Sequence, residues 1–262
     1  RRRCRFEHAN GQREIQQPSR ERGMMLMLLV FILGFAGMTF FVNSLNGASV
    51  QIERNKKTFQ SLAEAKTALI GWSVSHPNLP GMMPWPDRGS GGGYDGNSDC
   101  ATVAFHYNFL IGKLPWVGQT SPCVNPRTGV GIDARDGDGE RLWYVVSRNL
   151  VHDYETGADP EVSPSIIDNP AHPWMIVQDK QGNVVSNRVA AIIISPGFSL
   201  GGQDRSGWTA GPGEYLDSFK IGATAFSNNS YTLPDESFVM GEHYRSVRND
   251  DTVYQHHYYF ND

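Results

Sequence analysis

The sequence predicts an α+β fold, in which a long N-terminal helix, transmembrane at first and then amphipathic, precedes a mainly antiparallel β head. No charged side chain occurs between Met24 and Val42, and apolar residues then recur at helical spacing. The remainder combines 28 Gly and 15 Pro with 13 Phe, 10 Tyr and 6 Trp, which is typical of short strands between turns. We therefore divide the 262 residues into a leader (1–23), a helix (24–76, transmembrane at 24–45) and a head (77–262).

The uncharged segment predicts a membrane anchor, because a helix of about 20 apolar residues spans a bilayer. A cleavable secretory signal is the alternative, but its apolar core is usually shorter and a small-residue cleavage site follows it. Arginines cluster before the segment, which predicts a cytoplasmic N-terminus and an exported head. The sequence thus predicts a single-pass inner-membrane protein whose head is periplasmic.

The second half of the helix is predicted from its apolar spacing. Phe59, Leu62, Leu69 and Ile70 recur at helical intervals, while charged residues occupy other faces. The dipeptide at 76–77, His-Pro, predicts the end of this helix.

Two patterns in the head predict β structure. The run from Val189 to Ile194 is apolar throughout, which predicts a central strand covered on both faces. The turn from Asp179 to Asn183 predicts a hairpin that joins residues 174–178 to residues 184–189. In the segment ERLWY, Arg141 is expected to pair with a loop carboxylate rather than to act in catalysis.

Two acidic loops of the head are candidate calcium sites, because flexible loops with carboxylate and carbonyl oxygens suit Ca²⁺. Ordinary solvated turns are the alternative, since Asp-Gly is a common turn dipeptide. The first loop follows only the start of a calcium-binding pattern, because Cys100 stands where that pattern needs Gly. The candidate ligands are Asp87, Asp95, Asn97 and Asp99 in the first loop, and Asp133, Asp136 and Asp138 in the second.

The three cysteines divide between the two sides of the predicted anchor. Cys4 precedes it, whereas Cys100 and Cys123 follow it and would share an oxidising compartment. A disulfide between these two would add roughly 3 kcal/mol of stability in the chain-entropy model. Two free buried thiols are the alternative.

The sequence gives little support for catalysis or for nucleic-acid binding. The segment SPGFS, with Ser195 and Ser199, lacks the GxSxG pattern of a nucleophile elbow, and no spacing ties a histidine to either serine. The net charge of −4 argues against a general nucleic-acid binder. We therefore predict no catalytic residue, no nucleic-acid partner and no cofactor other than calcium, with an exported hydrolase as the weaker alternative.

The N-terminal region resembles type IV pilins and the pseudopilins of type II secretion. The resemblance rests on a charged leader that ends in Gly23, an apolar half-helix that follows at once, and an amphipathic half-helix. It implies that a prepilin peptidase cuts after Gly23, so that Met24 begins the mature chain. Most members carry Glu as the fifth mature residue, and Leu28 stands there in this chain. The departure implies a minor subunit of the type found at a filament tip.

Further motifs narrow this resemblance to a group of proteobacterial pilin-like proteins with a single N-terminal anchor. The motifs are LPGMMPWPD, GKLPW, RDGDGERLWYVVS and RVAAIIISPGFSLGGQDR, in that order. The group typically has Cys where Trp85 stands, so Cys100 and Cys123 would be the only exported pair.

These observations predict a minor structural subunit that assembles through its N-terminal helix into a type IV pilus or a type II secretion pseudopilus. The implied partners are other pilin or pseudopilin subunits, a prepilin peptidase and the inner membrane. After assembly the subunit would lie in an extracellular filament or at its tip. The alternative is a membrane-anchored periplasmic binding module that does not polymerise.

Overall fold

The structure is a computed structural model that describes residues 20–89, 93–100, 106–119, 123, 129–160, 174–179, 181–199, 202–207, 210–216, 218–221, 223–231, 237–239 and 256–259. Side chains are described for these residues except 20–22, 39–48, 218–221, 224–226 and 256–259. Most of the predicted leader therefore lies outside the described residues. The chain divides into two compact units, Arg1–Gln51 and Ile52–Asp262, and each is considered by itself.

The helical elements are one α-helix and three short 3₁₀ turns among the described residues. Helix α1 is Arg20–Val74, and the 3₁₀ turns are Tyr107–Leu110, Arg148–Leu150 and Pro212–Glu214. Helix α1 ends just before His76, whose helical conformation is disfavoured because Pro77 follows it.

The predicted transmembrane helix is wrong. Within the described residues, no helix is both long enough and apolar enough to cross a membrane. The part of the apolar segment whose side chains are described, from Gly23 to Met38, corresponds to about 24 Å of helix. The hydrocarbon core of a bilayer needs about 30 Å. This finding corrects both the predicted fold class, with its long transmembrane N-terminal helix, and the predicted single-pass inner-membrane location.

Short strands account for most elements of the second unit. They are β1 (Asn97–Ser98), β2 (Ile111–Lys113), β3 (Gly118–Gln119), β4 (Trp143–Val146), β5 (Met175–Gln178), β6 (Val184–Val189), β7 (Ala191–Ser195), β8 (Ser218–Ile221), β9 (Thr224–Ser227), β10 (Ser237–Val239) and β11 (His256–Tyr259). They form four separate sheets rather than one.

The largest sheet is antiparallel, with strand order β11-β7-β4-β2. Strand β7 is central and buried along its whole length, which confirms the prediction of a covered central strand for residues 191–194. The predicted start is wrong, because Val189 is the last residue of β6 and Ala190 separates the two strands. Its neighbour β4 is also fully buried, and Val145 pairs in register with Ile192. Apolar side chains on both faces explain why these two strands form the centre of the core.

The remaining sheets are small. In the sheet of order β10-β5-β6, β5 pairs antiparallel with β6, which confirms the predicted hairpin around residues 179–183. Asp179 accepts hydrogen bonds from the backbone N–H groups of Gln181 and Asn183, so its side chain stabilises the turn. Strand β10 joins β5 in parallel, β1 pairs with β3 in parallel, and β8 forms a hairpin with β9.

Residues 52–74 of α1 contribute one face to the same core. Leu62, Ala65 and Leu69 are buried and belong to one apolar cluster with β4 and β7. The apolar face differs from the predicted one, because Phe59 and Ile70 are 44% and 43% exposed. Leu62, Ala65 and Leu69 thus form the face that packs on the core, and Phe59 and Ile70 lie at its edge.

Candidate functional site

The acidic loop, Asp133–Glu140, is organised by the carboxylate of Asp136. Asp136 is completely buried, and its Oδ2 accepts hydrogen bonds from the hydroxyl of Ser195 and the N–H of Gly197, each 2.9 Å long. Its Oδ1 accepts from the backbone N–H groups of Asp138 (3.0 Å) and Glu140 (2.9 Å). One carboxylate thus closes the turn and fastens it to the end of β7.

The opposite side of the acidic loop contacts α1 within the second unit. Gly137 donates its N–H to the hydroxyl of Thr58 at 2.8 Å, and Ser61 donates its hydroxyl to the carbonyl of Arg135 at 2.6 Å. A Cβ atom at Gly137 would lie 2.1 Å from the carbonyl oxygen of Arg54. Only glycine allows this approach between loop and helix.

The other two aspartates of this loop form ion pairs. Asp133 contacts the guanidinium groups of Arg135 and Arg141, each at 2.9 Å, and Asp138 contacts Arg54 at 3.0 Å. The Arg141 pair confirms the prediction that this residue binds a loop carboxylate. All three predicted calcium ligands of the acidic loop therefore have protein partners.

The first predicted calcium loop also has internal partners. Buried Asp87 accepts hydrogen bonds from Gly96 N–H (2.7 Å) and Gly89 N–H (3.1 Å), and burial raises its pKa to about 6. Asp99 accepts from the N–H of Arg88 at 2.8 Å.

In the same loop, Asp95 accepts from the N–H of Asn97, also at 2.8 Å. Across the described part of the chain, no group of three or more His, Cys, Asp or Glu side chains could hold a metal ion. Calcium binding stays a prediction of the sequence.

The predicted disulfide is confirmed. Cys100 and Cys123 are joined, with their Cα atoms 5.5 Å apart. The bond links the segment after β1 to the segment after β3, the two strands that pair in parallel.

The serines considered for hydrolysis do not form a recognisable nucleophile. Ser195 is buried and its hydroxyl donates to Asp136, while Ser199 is exposed beyond β7. His256 faces Ser195 in the register of β11 and β7, although the side chains of β11 are not described. Catalysis stays untested.

Sequence reasoning missed a cleft of about 340 Å³ in the second unit, which we call the Lys113 cleft. Its walls come from four separate parts of the chain: the loop at Tyr94, the end of β2 at Lys113, the acidic loop, and residues 205–215. The signal in the sequence was Lys113 itself, a lysine that closely follows the apolar residues Leu110 and Ile111. It is the last residue of β2, and all three residues of that strand are buried.

The first unit presents a different kind of surface. Twelve large apolar side chains between Met24 and Met38 are each 57–78% exposed. A shallow apolar groove of about 370 Å³ runs between Val30, Phe31, Gly34, Phe35 and Met38. The predicted processing residues Gly23 and Met24 are exposed as well.

Comparison with known proteins identifies no relative, because no family model, no curated protein and no solved structure matches the chain.

Proposed function

We propose that this chain is a structural subunit, similar to a minor pilin or pseudopilin, that assembles with other subunits through the apolar segment from Met24 to Met38. The observation that carries the proposal is the exposure of twelve large apolar side chains on one short stretch of helix. Contiguous exposed apolar surface of this kind marks an interaction site. A sister helix of the same apolar character is the partner that the resemblance to pilins implies.

The groove at Gly34 supports close packing of helices. A Cβ atom at Gly34 or at Gly37 would meet no other atom within 4 Å, so both positions leave space at the helix surface. Small residues at such positions let two helix backbones approach closely, with large side chains from the neighbour filling the space. Phe31 and Phe35 border the groove and would contact that neighbour.

Leu28 supports the tip-type assignment that the resemblance implies. It occupies the position where most pilins carry Glu, and it is 64% exposed among other apolar side chains. A carboxylate there would need an amine partner in the assembly, since an unpaired buried charge is costly. A subunit with Leu at this position needs no such partner.

Cysteine cross-linking in cells that make the full chain tests the proposal. In a Cys4→Ser background, we expect Phe31→Cys to give oxidative cross-links to neighbouring subunits. The matched control is Gln60→Cys, at an exposed position of α1 in the second unit, and it should give few. Mass spectrometry identifies the partner and the mature N-terminus, which we expect at Met24.

A second variant separates specific packing from general aggregation. Gly34→Leu places a side chain in the groove, and its Cβ has no neighbour within 4 Å, so it should lower the cross-linking yield at Phe31. Aggregation driven only by apolar character would keep or raise that yield. Equal yields at Phe31 and Gln60, or no effect of Gly34→Leu, would contradict assembly through this groove.

A further inference from the structure

The Lys113 cleft contains a cation that the described residues leave unpaired. Lys113 is only 8% exposed, and it lies at the end of the buried strand β2. Its Nζ lies 4.3 Å from the ring centroid of Tyr94 and 4.4 Å from that of Tyr215. Among the described residues, this Nζ makes no hydrogen bond and no ion pair. An ammonium group has three donors, and because Lys113 lines the cleft, a ligand in that space can accept from them.

The rings of Tyr94 and Tyr215 compensate the charge of Lys113 only in part. Their π faces attract the ammonium group, but each such contact contributes only about 0.5–2 kcal/mol. Burial also raises the pKa of Tyr94 and of Tyr215, so neither phenol becomes an anionic partner near neutral pH. The donors of Lys113 thus border an open space that can admit an anionic acceptor.

Three arginines add positive charge around this space, and each is held in place by protein acceptors. Arg135 donates to Asp133 and to the carbonyl of Gly139. Arg141 donates to Asp133 and to the carbonyl of Tyr94.

Arg205, the third of them, donates to the carbonyls of Gly197 and Glu214 and stacks 4.7 Å from the ring centroid of Tyr215. The lining therefore carries four cationic side chains against two carboxylates, those of Asp95 and Glu140. Fixed cations need no rearrangement to bind an anion, which favours affinity.

We propose that the Lys113 cleft binds a small anionic ligand through an oxyanion group, a carboxylate or a phosphate, placed against the Nζ of Lys113. The volume of about 340 Å³ fits a small molecule rather than a polymer chain. Charge-assisted hydrogen bonds from Lys113 hold the oxyanion, and the fixed guanidinium groups stabilise its charge. This inference is independent of the proposed assembly role, since the cleft lies wholly in the second unit.

Calorimetric titration of the purified full chain with inorganic phosphate and with succinate, at constant ionic strength, tests this proposal. We expect at least one of the two probes to bind, and Lys113→Gln to weaken that binding by about tenfold or more, because a charge-assisted hydrogen bond is lost. Lys57→Gln is the matched control, at an exposed lysine on α1, and it should leave the affinity unchanged. A preference for phosphate or for succinate identifies which oxyanion the cleft accepts.

A second variant keeps the test valid if Lys113→Gln folds poorly. Glu140 lines the cleft and lies 3.6 Å from the guanidinium of Arg205, so Glu140→Gln removes a competing negative charge. It should strengthen binding of the same probe by about threefold or more. The proposal is wrong if neither probe binds at 10 mM (roughly the limit for a weak site), or if the affinity is the same in the Lys113→Gln and Glu140→Gln variants as in the wild type.

Discussion

The acidic loop and the Lys113 cleft lie side by side, but they balance charge in opposite ways. In the acidic loop, Asp136 accepts four hydrogen bonds and Asp133 pairs with two arginines. In the cleft, Lys113 is nearly as well buried, yet its Nζ contacts only aromatic faces among the described residues. Full satisfaction is typical of a structural element, whereas a charged group that borders a cavity without a protein acceptor is typical of a binding site.

The two regions are also joined physically. Arg135 belongs to the acidic loop, Arg141 directly follows it, and both line the cleft. Because both arginines pair with Asp133, the loop fixes two of the cations that surround Lys113. The contact of Gly137 with α1 holds that loop in place. A substitution that releases the loop from α1 should therefore lower the stability of the fold most, and should have a smaller effect on the position of the cleft arginines.

The largest loss of stability is expected from Gly137→Ala. The new Cβ would lie 2.1 Å from the carbonyl oxygen of Arg54, which belongs to helix backbone that cannot move aside cheaply. We expect a loss of about 3 kcal/mol or more in the free energy of unfolding, measured by urea denaturation of the full chain.

Gly211→Ala is the matched control for this change. A Cβ at Gly211 would meet no atom within 4 Å, and its φ of −75° suits alanine, so stability should change little. Similar stability of the two variants would mean that the acidic loop is not fixed against α1.

A smaller effect on stability, which depends on pH, is expected from the charge of Lys113. Burial lowers its pKa from 10.5 to about 8, and the nearby charges oppose one another: Glu140 and Asp87 raise the pKa, while Arg141 and Arg135 lower it. Because the folded-state pKa is the lower one, the stability contribution of Lys113 is complete above pH 10.5 and is lost as pH falls through about 8. Lys113→Met removes this dependence.

Unfolding free energies at pH 7 and pH 9.5 measure this dependence in a buffer without oxyanions. The wild type should gain about 2 kcal/mol relative to Lys113→Met between these two pH values. Lys57→Met, at an exposed position, should follow the wild type at both. A constant difference between wild type and Lys113→Met would show that Lys113 is hydrated or paired, and the contrast with the acidic loop would then fail.

The features that could be predicted from sequence are those set by local pattern. The apolar run at β7 predicted a buried central strand, and the polar turn at Asp179 predicted the hairpin between β5 and β6. The pairing of Cys100 with Cys123 needed only a choice among three cysteines. Each of these inferences uses neighbours in the chain or a very small set of options.

The acidic loop shows where local pattern is insufficient. The sequence DGDG is compatible with a solvated turn, with a calcium-binding loop, and with a loop that a buried aspartate holds in place. Only the contacts with Ser195 and Thr58, which are about sixty and eighty residues away, show that the loop is held by a buried aspartate. The Lys113 cleft was missed for the same reason, because its walls come from segments that are distant in sequence and meet only in the folded unit.

The smallest expected effect concerns the ion pair between Arg54 and Asp138. Their atoms lie 3.0 Å apart, but the side chain of Arg54 is 44% exposed, so water screens the attraction. A double-mutant cycle with Arg54→Ala and Asp138→Ala should give a coupling of about 0.5 kcal/mol at low salt, and less in 0.5 M NaCl. Such a value would mean that the close fit at Gly137 and the hydrogen bonds of Asp136 hold the acidic loop, with charge pairing as a minor addition. A coupling above about 1.5 kcal/mol would reverse that order, because paired charge would then fix the loop and its fit to α1 would be a consequence.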